Sequence, residues 1–114
     1  MTQSFGITLR ELRRSKGISQ RELAEKVGVD FSYISKVEND RLPPPAADTI
    51  VRICDVLEVK PDDLLGLTGK MPTDVREMLS ASTAVRQFIR QAQEMKLTDE
   101  EWQTLTRRLK RLRS

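Results

Sequence analysis

Residues 28–39, GVDFSYISKVEN, gather hydroxyls, an ammonium, an amide and two aromatic rings into twelve positions. Placed on a helix at about 100° per residue, with Ile34 at the centre of one face, Val37, Glu38 and Phe31 fall within about 60° of it. Ser32, Lys36 and Asn39 then take the opposite side, flanked by Tyr33 and Ser35. Each of these outward side chains donates a hydrogen bond. Such groups suit recognition of polar edges rather than bond breaking. The rest of the chain offers little for catalysis: there is no histidine, one cysteine and only five scattered glycines. Those absences remove Ser-His-Asp triads, the usual zinc sites and Gly-rich phosphate loops. No enzyme activity, metal or cofactor is therefore expected. Cys54, between Ile53 and Asp55, reads as a plain buried thiol.

A helix of ordinary width fits the DNA major groove, where base edges present donors, acceptors and thymine methyl groups. Lys36 is suited to guanine O6 and N7, and the Phe31 or Tyr33 ring to a thymine methyl. Upstream, Ser19-Gln20-Arg21 starts another helix. Its N-terminal N–H groups and positive dipole end suit a phosphate. Asn39 and Arg41, just past the outward face, suit a second phosphate.

The elements that must carry these groups are marked by punctuation. Thr8-Leu9-Arg10-Glu11 reads as a capping box that opens a first helix, and Gly17 ends it. Ser19-Gln20-Arg21-Glu22 opens a second helix with Leu23, Ala24 and Val27 inward, and Gly28 ends it. Asp30 is an N-cap for a third helix over 31–39. So tight a Gly-containing turn between two short helices gives the steep crossing of a helix-turn-helix. Pro43-Pro44-Pro45 breaks the chain. A fourth helix is expected over 46–58, with Ile50, Ile53, Cys54 and Leu57 inward. A short fifth helix follows Pro61, with Leu64, Leu65 and Leu67 inward. Two or three more helices are expected after Pro72, from Thr73, from Ser82 or Thr83, and from the capping box Thr98-Asp99-Glu100-Glu101. No strand-like alternation or internal repeat is present.

Global charge decides little. Residues 1–70 hold eleven basic and eleven acidic residues, and residues 71–114 hold nine and six. Local placement must carry any nucleic-acid assignment. No run of 18 apolar residues exists to span a membrane, and the sequence MTQSFGITLR lacks the apolar stretch of a signal peptide. A cytoplasmic protein is expected.

The stretch LRELRRSKGISQRELAEKVGVDFSYISKVEND resembles the Xre family of helix-turn-helix regulators, which includes the small phage repressors. The resemblance covers residues 7–67. Gly17-Ile18-Ser19-Gln20, Glu22-Leu23-Ala24, Gly28-Val29, Ile34-Ser35 and Glu38-Asn39 fall in family order and spacing, and 56–65 look like its closing helix pair. It implies a five-helix lambda-repressor-like DNA-binding domain, placed over 1–70; with the helices read after Pro72, the chain is expected to be all-α, with a two- or three-helix C-terminal dimerisation region over 71–114. It also implies base reading by Phe31, Ser32, Tyr33 and Lys36, phosphate contact by Gln20, and an ion pair between Arg13 and Glu38. For Phe31 the wheel gives a buried side and the family position a DNA-facing one; both stand open. Asp40 departs from the family's usual Gly, so a distorted exit from the third helix is expected.

In the C-terminal region Trp102, Leu105, Leu109 and Leu112 are spaced three, four and three, as in a short heptad seam. Val85, Phe88 and Ile89 are their candidate partners. Forty-four residues rarely bury a self-sufficient core, and one helix-turn-helix unit reads few base pairs. Both arguments lead to a homodimer on a palindromic operator in double-stranded DNA, and to a repressor. The alternative is an antitoxin-like or peptidase-controlled regulator whose residues 73–114 bind a partner protein. The basic residues Arg107, Arg108, Lys110, Arg111 and Arg113 fit a solvated helix end, a phosphate contact or an acidic partner.

Overall fold

The computed structural model describes residues 4–114. Among them every regular element is a helix: α1 (Phe5–Ser15), α2 (Gln20–Val27), α3 (Phe31–Glu38), α4 (Ala47–Leu57), α5 (Asp62–Gly66), α6 (Thr73–Ala81), α7 (Thr83–Met95) and α8 (Asp99–Arg111). The chain divides after Val75 into two compact units. None of the helices is long and apolar enough to cross a membrane.

The first unit is built around Leu9, Leu23, Ile34, Ile50, Ile53, Leu57 and Leu64, all closed to solvent. Each of α1 to α5 contributes at least one of them, so the short helices are held by shared packing rather than by their own propensity. Cys54 belongs to the same core. Burial, with Asp55 and Asp63 nearby, pushes its thiol up to about 11, so it stays protonated and packs as a small apolar group. Leu65 is half-buried and packs against this core, in line with its expected inward placement, whereas Leu67 is exposed, contrary to it. A five-residue helix has room for one fully inward leucine, and Leu64 takes that place.

The helix ends follow the glycines. Gly17 and Gly28 take φ of 69° and 89°, where a side chain would be strained. Ser19 Oγ accepts from the Glu22 N–H, capping α2. Asp30 stands at the N-cap of α3, yet its side chain makes no capping bond. The start of α1 differs from the sequence reading. The helix begins four residues earlier, at Phe5, with Ser4 as its cap in place of Thr8, which lies inside the first turn. The reason lies at Asp40, which accepts from Ser4 Oγ at 2.8 Å and from the Gly6 N–H at 3.3 Å. Asp40 itself takes φ of 58°. It thus adopts the left-handed conformation for which glycine is usual, and its carboxylate recovers the cost at the positive end of α1.

The proline loop and the start of α4 are tied to the segment that follows α5. Lys70 Nζ donates to the carbonyls of Pro44 and Pro45 at 2.8 and 2.9 Å. Asp48, near the start of α4, accepts from the Thr73 N–H at 3.0 Å.

The second unit is thin. Ser82 caps α7, and Thr98 and Glu101 form a reciprocal capping box at α8. Ala92 is buried, Val85, Leu97 and Leu105 are half-buried, and most other large apolar side chains are exposed.

Gly6 marks the closest approach of α1 to the end of α3. A Cβ there would meet the Val37 carbonyl at 2.5 Å, Asp40 Oδ1 at 2.6 Å and the Glu38 carbonyl at 2.7 Å. Two of these are backbone atoms that move only if the helices separate. Gly6→Ala is expected to cost about 3 kcal/mol in urea denaturation. An unchanged midpoint would show that α1 does not lie this close to α3.

Candidate nucleic-acid interface

The geometry is best followed from behind α3. Ile34 and Val37 seat the helix in the core, and between them and the solvent edge lies Glu38, 1% exposed. A carboxylate there needs partners, because an unpaired charge removed from water is costly. Arg13 supplies two: Nε donates at 2.6 Å and Nη2 at 2.9 Å, one to each carboxylate oxygen. Its Nη1 donates to the Ile18 carbonyl at 2.8 Å, in the loop before α2. Gln20 Nε2 donates to Glu38 Oε1 at 2.9 Å. Arg10, one turn before Arg13, adds a longer ion pair at 3.6 Å and reaches the Glu38 carbonyl. One carboxylate therefore ties α1, the α1–α2 loop, the first residue of α2 and the end of α3.

Burial by itself would raise the Glu38 pKa. The hydrogen bonds from Arg13 and Gln20 and the charges of Arg13 and Arg10 outweigh it, and the carboxyl is held below its ordinary 4.5.

On the outer side, Ser32, Lys36 and Phe31 are exposed and Tyr33 and Ser35 are half-exposed. The two positions open for Phe31 resolve toward solvent. The residue is 40% exposed, and the Arg21 guanidinium lies over its ring, 4.5 Å from the centroid. The wheel failed here because Phe31 is the first residue of the helix, beyond the reach of the core. Tyr33 packs against the edge of the core, and burial raises its pKa. Less of it is available to a base than an outward position suggests.

The five phosphate candidates are not equivalent. The N-terminus of α2 does lie beside α3, with Ser19 and Arg21 exposed. Gln20, however, spends one amide hydrogen on Glu38, leaving the other for a phosphate. Asn39 is also occupied: its Nδ2 donates to the Ser35 carbonyl at 2.9 Å, and its Oδ1 accepts from Arg10. It serves chiefly as the C-cap of α3. Arg41 is exposed, and its backbone N–H is fixed on the Lys36 carbonyl at 2.8 Å. Arg10 is the residue the sequence reading missed. Its signal was the spacing Arg10, Arg13 on one face of α1, which brings both to the same target.

In the second unit, Phe88 is 53% exposed, Leu109 67% and Leu112 77%, with Ile89 and Trp102 also exposed. Val85 and Leu105 are half-buried. Phe88, Ala92, Met95, Leu97 and Leu105 line an apolar groove between α7 and α8. Among the described residues, no group of His, Cys, Asp or Glu is placed to hold a metal ion.

The model of a helix-turn-helix family matches residues 9–64. The chain is 36% identical over 76 residues to the uncharacterized helix-turn-helix-type transcriptional regulator RghRB of Bacillus subtilis (strain 168). That match covers 64% of this chain and 55% of the relative, so the chain spans about half of RghRB. In structure it is similar to SinR, the master regulator for biofilm formation, in complex with DNA: TM-score 0.51, 36% identity, 54% of this chain and 97% of that one. It is also similar to a chain of the SinR–SinI complex, with TM-score 0.52 and 25% identity over 93% of this chain and 94% of that one.

The carboxylate cluster has a measurable consequence. Because the folded pKa of Glu38 is lowered, its contribution to stability is fully present above the ordinary value of 4.5. It is lost as pH falls through the lowered value. Glu38→Gln leaves Arg13 buried without its counter-charge and is expected to cost about 3–5 kcal/mol near neutral pH. Denaturant titrations stepped downward from about pH 7 should show the gap between variant and wild type narrowing in acid. A gap that is small, or independent of pH, would contradict the arrangement.

Proposed function

The chain belongs to the helix-turn-helix family of Xre-type transcriptional regulators, with a lambda-repressor-like DNA-binding domain and a helical extension, and on that premise we propose that it is a repressor acting as a homodimer on a palindromic operator. The observation that carries this reading is the outer face of α3. Phe31, Ser32 and Lys36 stand exposed on a helix anchored from behind by Ile34, Val37 and Glu38. In this reading the 1–70 domain inserts α3 into the major groove, and Phe31, Ser32, Tyr33, Ser35 and Lys36 face the base edges. Ser19, Arg21 and Arg41, with the free N–H groups of Gln20, fix the register on phosphates. Asn39 contributes by holding the end of α3. Occupying promoter DNA in the cytoplasm would then block transcription.

Dimerisation through residues 71–114 is supported by the thinness of the second unit. Its exposed Phe88, Ile89, Trp102, Leu109 and Leu112 would lose contact with water against a second copy. Two DNA-binding domains held about one turn of DNA apart then read enough sequence to be selective. A second reading has its own support. The likeness to SinR in its complex with SinI extends over nearly the whole chain, which favours a partner protein taking the same apolar face.

Selection of DNA from a random pool by the purified chain tests the first reading. An enriched inverted repeat is expected, and a pool that stays random would overturn it. Lys36→Ala should relax base preference at one position per half-site, at a cost of about 1–3 kcal/mol. Arg41→Ala should weaken binding to all sequences alike and lower the salt dependence by about one ion. Light scattering of the free chain should give twice the 13.1 kDa monomer mass. A firm monomer would move the assignment to the partner-binding alternative.

A further inference from the structure

Phe31 is poorly explained by folding. It opens α3 40% exposed, and so forfeits part of the burial a phenylalanine gains in a core. Arg21, from the first turn of α2, covers the ring with its guanidinium at 4.5 Å from the centroid. A cation over an aromatic face restrains both side chains. A contact made to the ring face leaves guanidinium N–H groups able to donate elsewhere.

We propose that Arg21 and Phe31 act as one specificity-determining unit that reads the 5-methyl group of a thymine in the major groove. This deepens, and rests on, the assignment of α3 as the base-reading helix. A phenyl edge neither donates nor accepts a hydrogen bond, so most of the groove floor offers it nothing. The apolar group that a natural base pair presents there is the thymine methyl. Arg21 is the positioning residue. It closes one face of the ring, limits its rotation and carries positive charge toward the adjacent phosphates. Ser32 and Lys36, on the same helix, are left to satisfy the polar edges of neighbouring base pairs.

The test uses the full chain and the half-site it selects from a random pool. Each thymine is replaced in turn by deoxyuridine, which deletes only the methyl group. The wild type should bind about fourfold more weakly at one thymine of the half-site. Phe31→Ala, a change at an exposed position, should bind the thymine and uracil sites equally. Arg21→Ala should reduce the discrimination, and Arg21→Lys, a cation without the planar fork, should retain only part of it. Lys36→Ala should keep the methyl discrimination while losing its own base preference. Equal binding by the wild type at every substituted thymine would overturn the proposal, as would discrimination that survives in Phe31→Ala. Both results would leave α3 as the reading helix. A pool that yields no half-site would instead overturn that assignment, and the proposal with it.

Discussion

Glu38 places a negative charge where water does not reach, and the first unit is arranged around keeping it there. Arg13 meets both carboxylate oxygens, Gln20 meets one, and Arg10 adds its charge from the solvent side. Such a pair is weak evidence for stability, because desolvation of both ions offsets most of their attraction. Its physical value is directional. A bidentate guanidinium fixes distance and angle together, whereas apolar contacts at Ile34 and Val37 resist removal of the helix more than rotation of it. α3 has eight residues, too few to be stable as an isolated helix. Its orientation is therefore borrowed from α1 and α2, through Glu38.

The same cluster decides which polar groups of the segment stay uncommitted within the fold. Asn39, though exposed, commits its side-chain amide to Arg10 and the Ser35 carbonyl, part of Gln20 is taken by Glu38, and Asp40 turns back to the start of α1. What stays outside is narrower than the polar count of the segment suggests: Phe31, Ser32 and Lys36, with the edges of Tyr33 and Ser35. In the proposed function, anchoring and base reading would thus fall on opposite faces of one short helix. Arg21 reaches the same outer side from α2, its guanidinium over the Phe31 ring.

Much of this was legible in the sequence because it depends on local chemistry. Gly17 and Gly28 end helices since they alone accept the required φ cheaply. Ser19 and Thr98 announce helix starts because their oxygens cap within three residues. The misreadings share a cause in distance. The true start of α1 is set by Asp40, 36 residues from Ser4. The side-chain partner of Asn39 is Arg10, 29 residues away. A helical wheel cannot see either, nor that Phe31 lies past the edge of the core. In the second unit the apolar periodicity of α7 and α8 was readable, yet Phe88, Leu109 and Leu112 are exposed in the single chain. Periodicity identifies an apolar face without identifying what covers it.

The account stands on α3 and the start of α2 being the surface that meets DNA. An NMR titration of the isotope-labelled chain with its selected duplex addresses that most directly. Backbone amide shifts are expected to concentrate on residues 19–21 and 31–41, fading along α4 and α5. Shifts confined to α7 and α8, or spread evenly without a centre on α3, would contradict it.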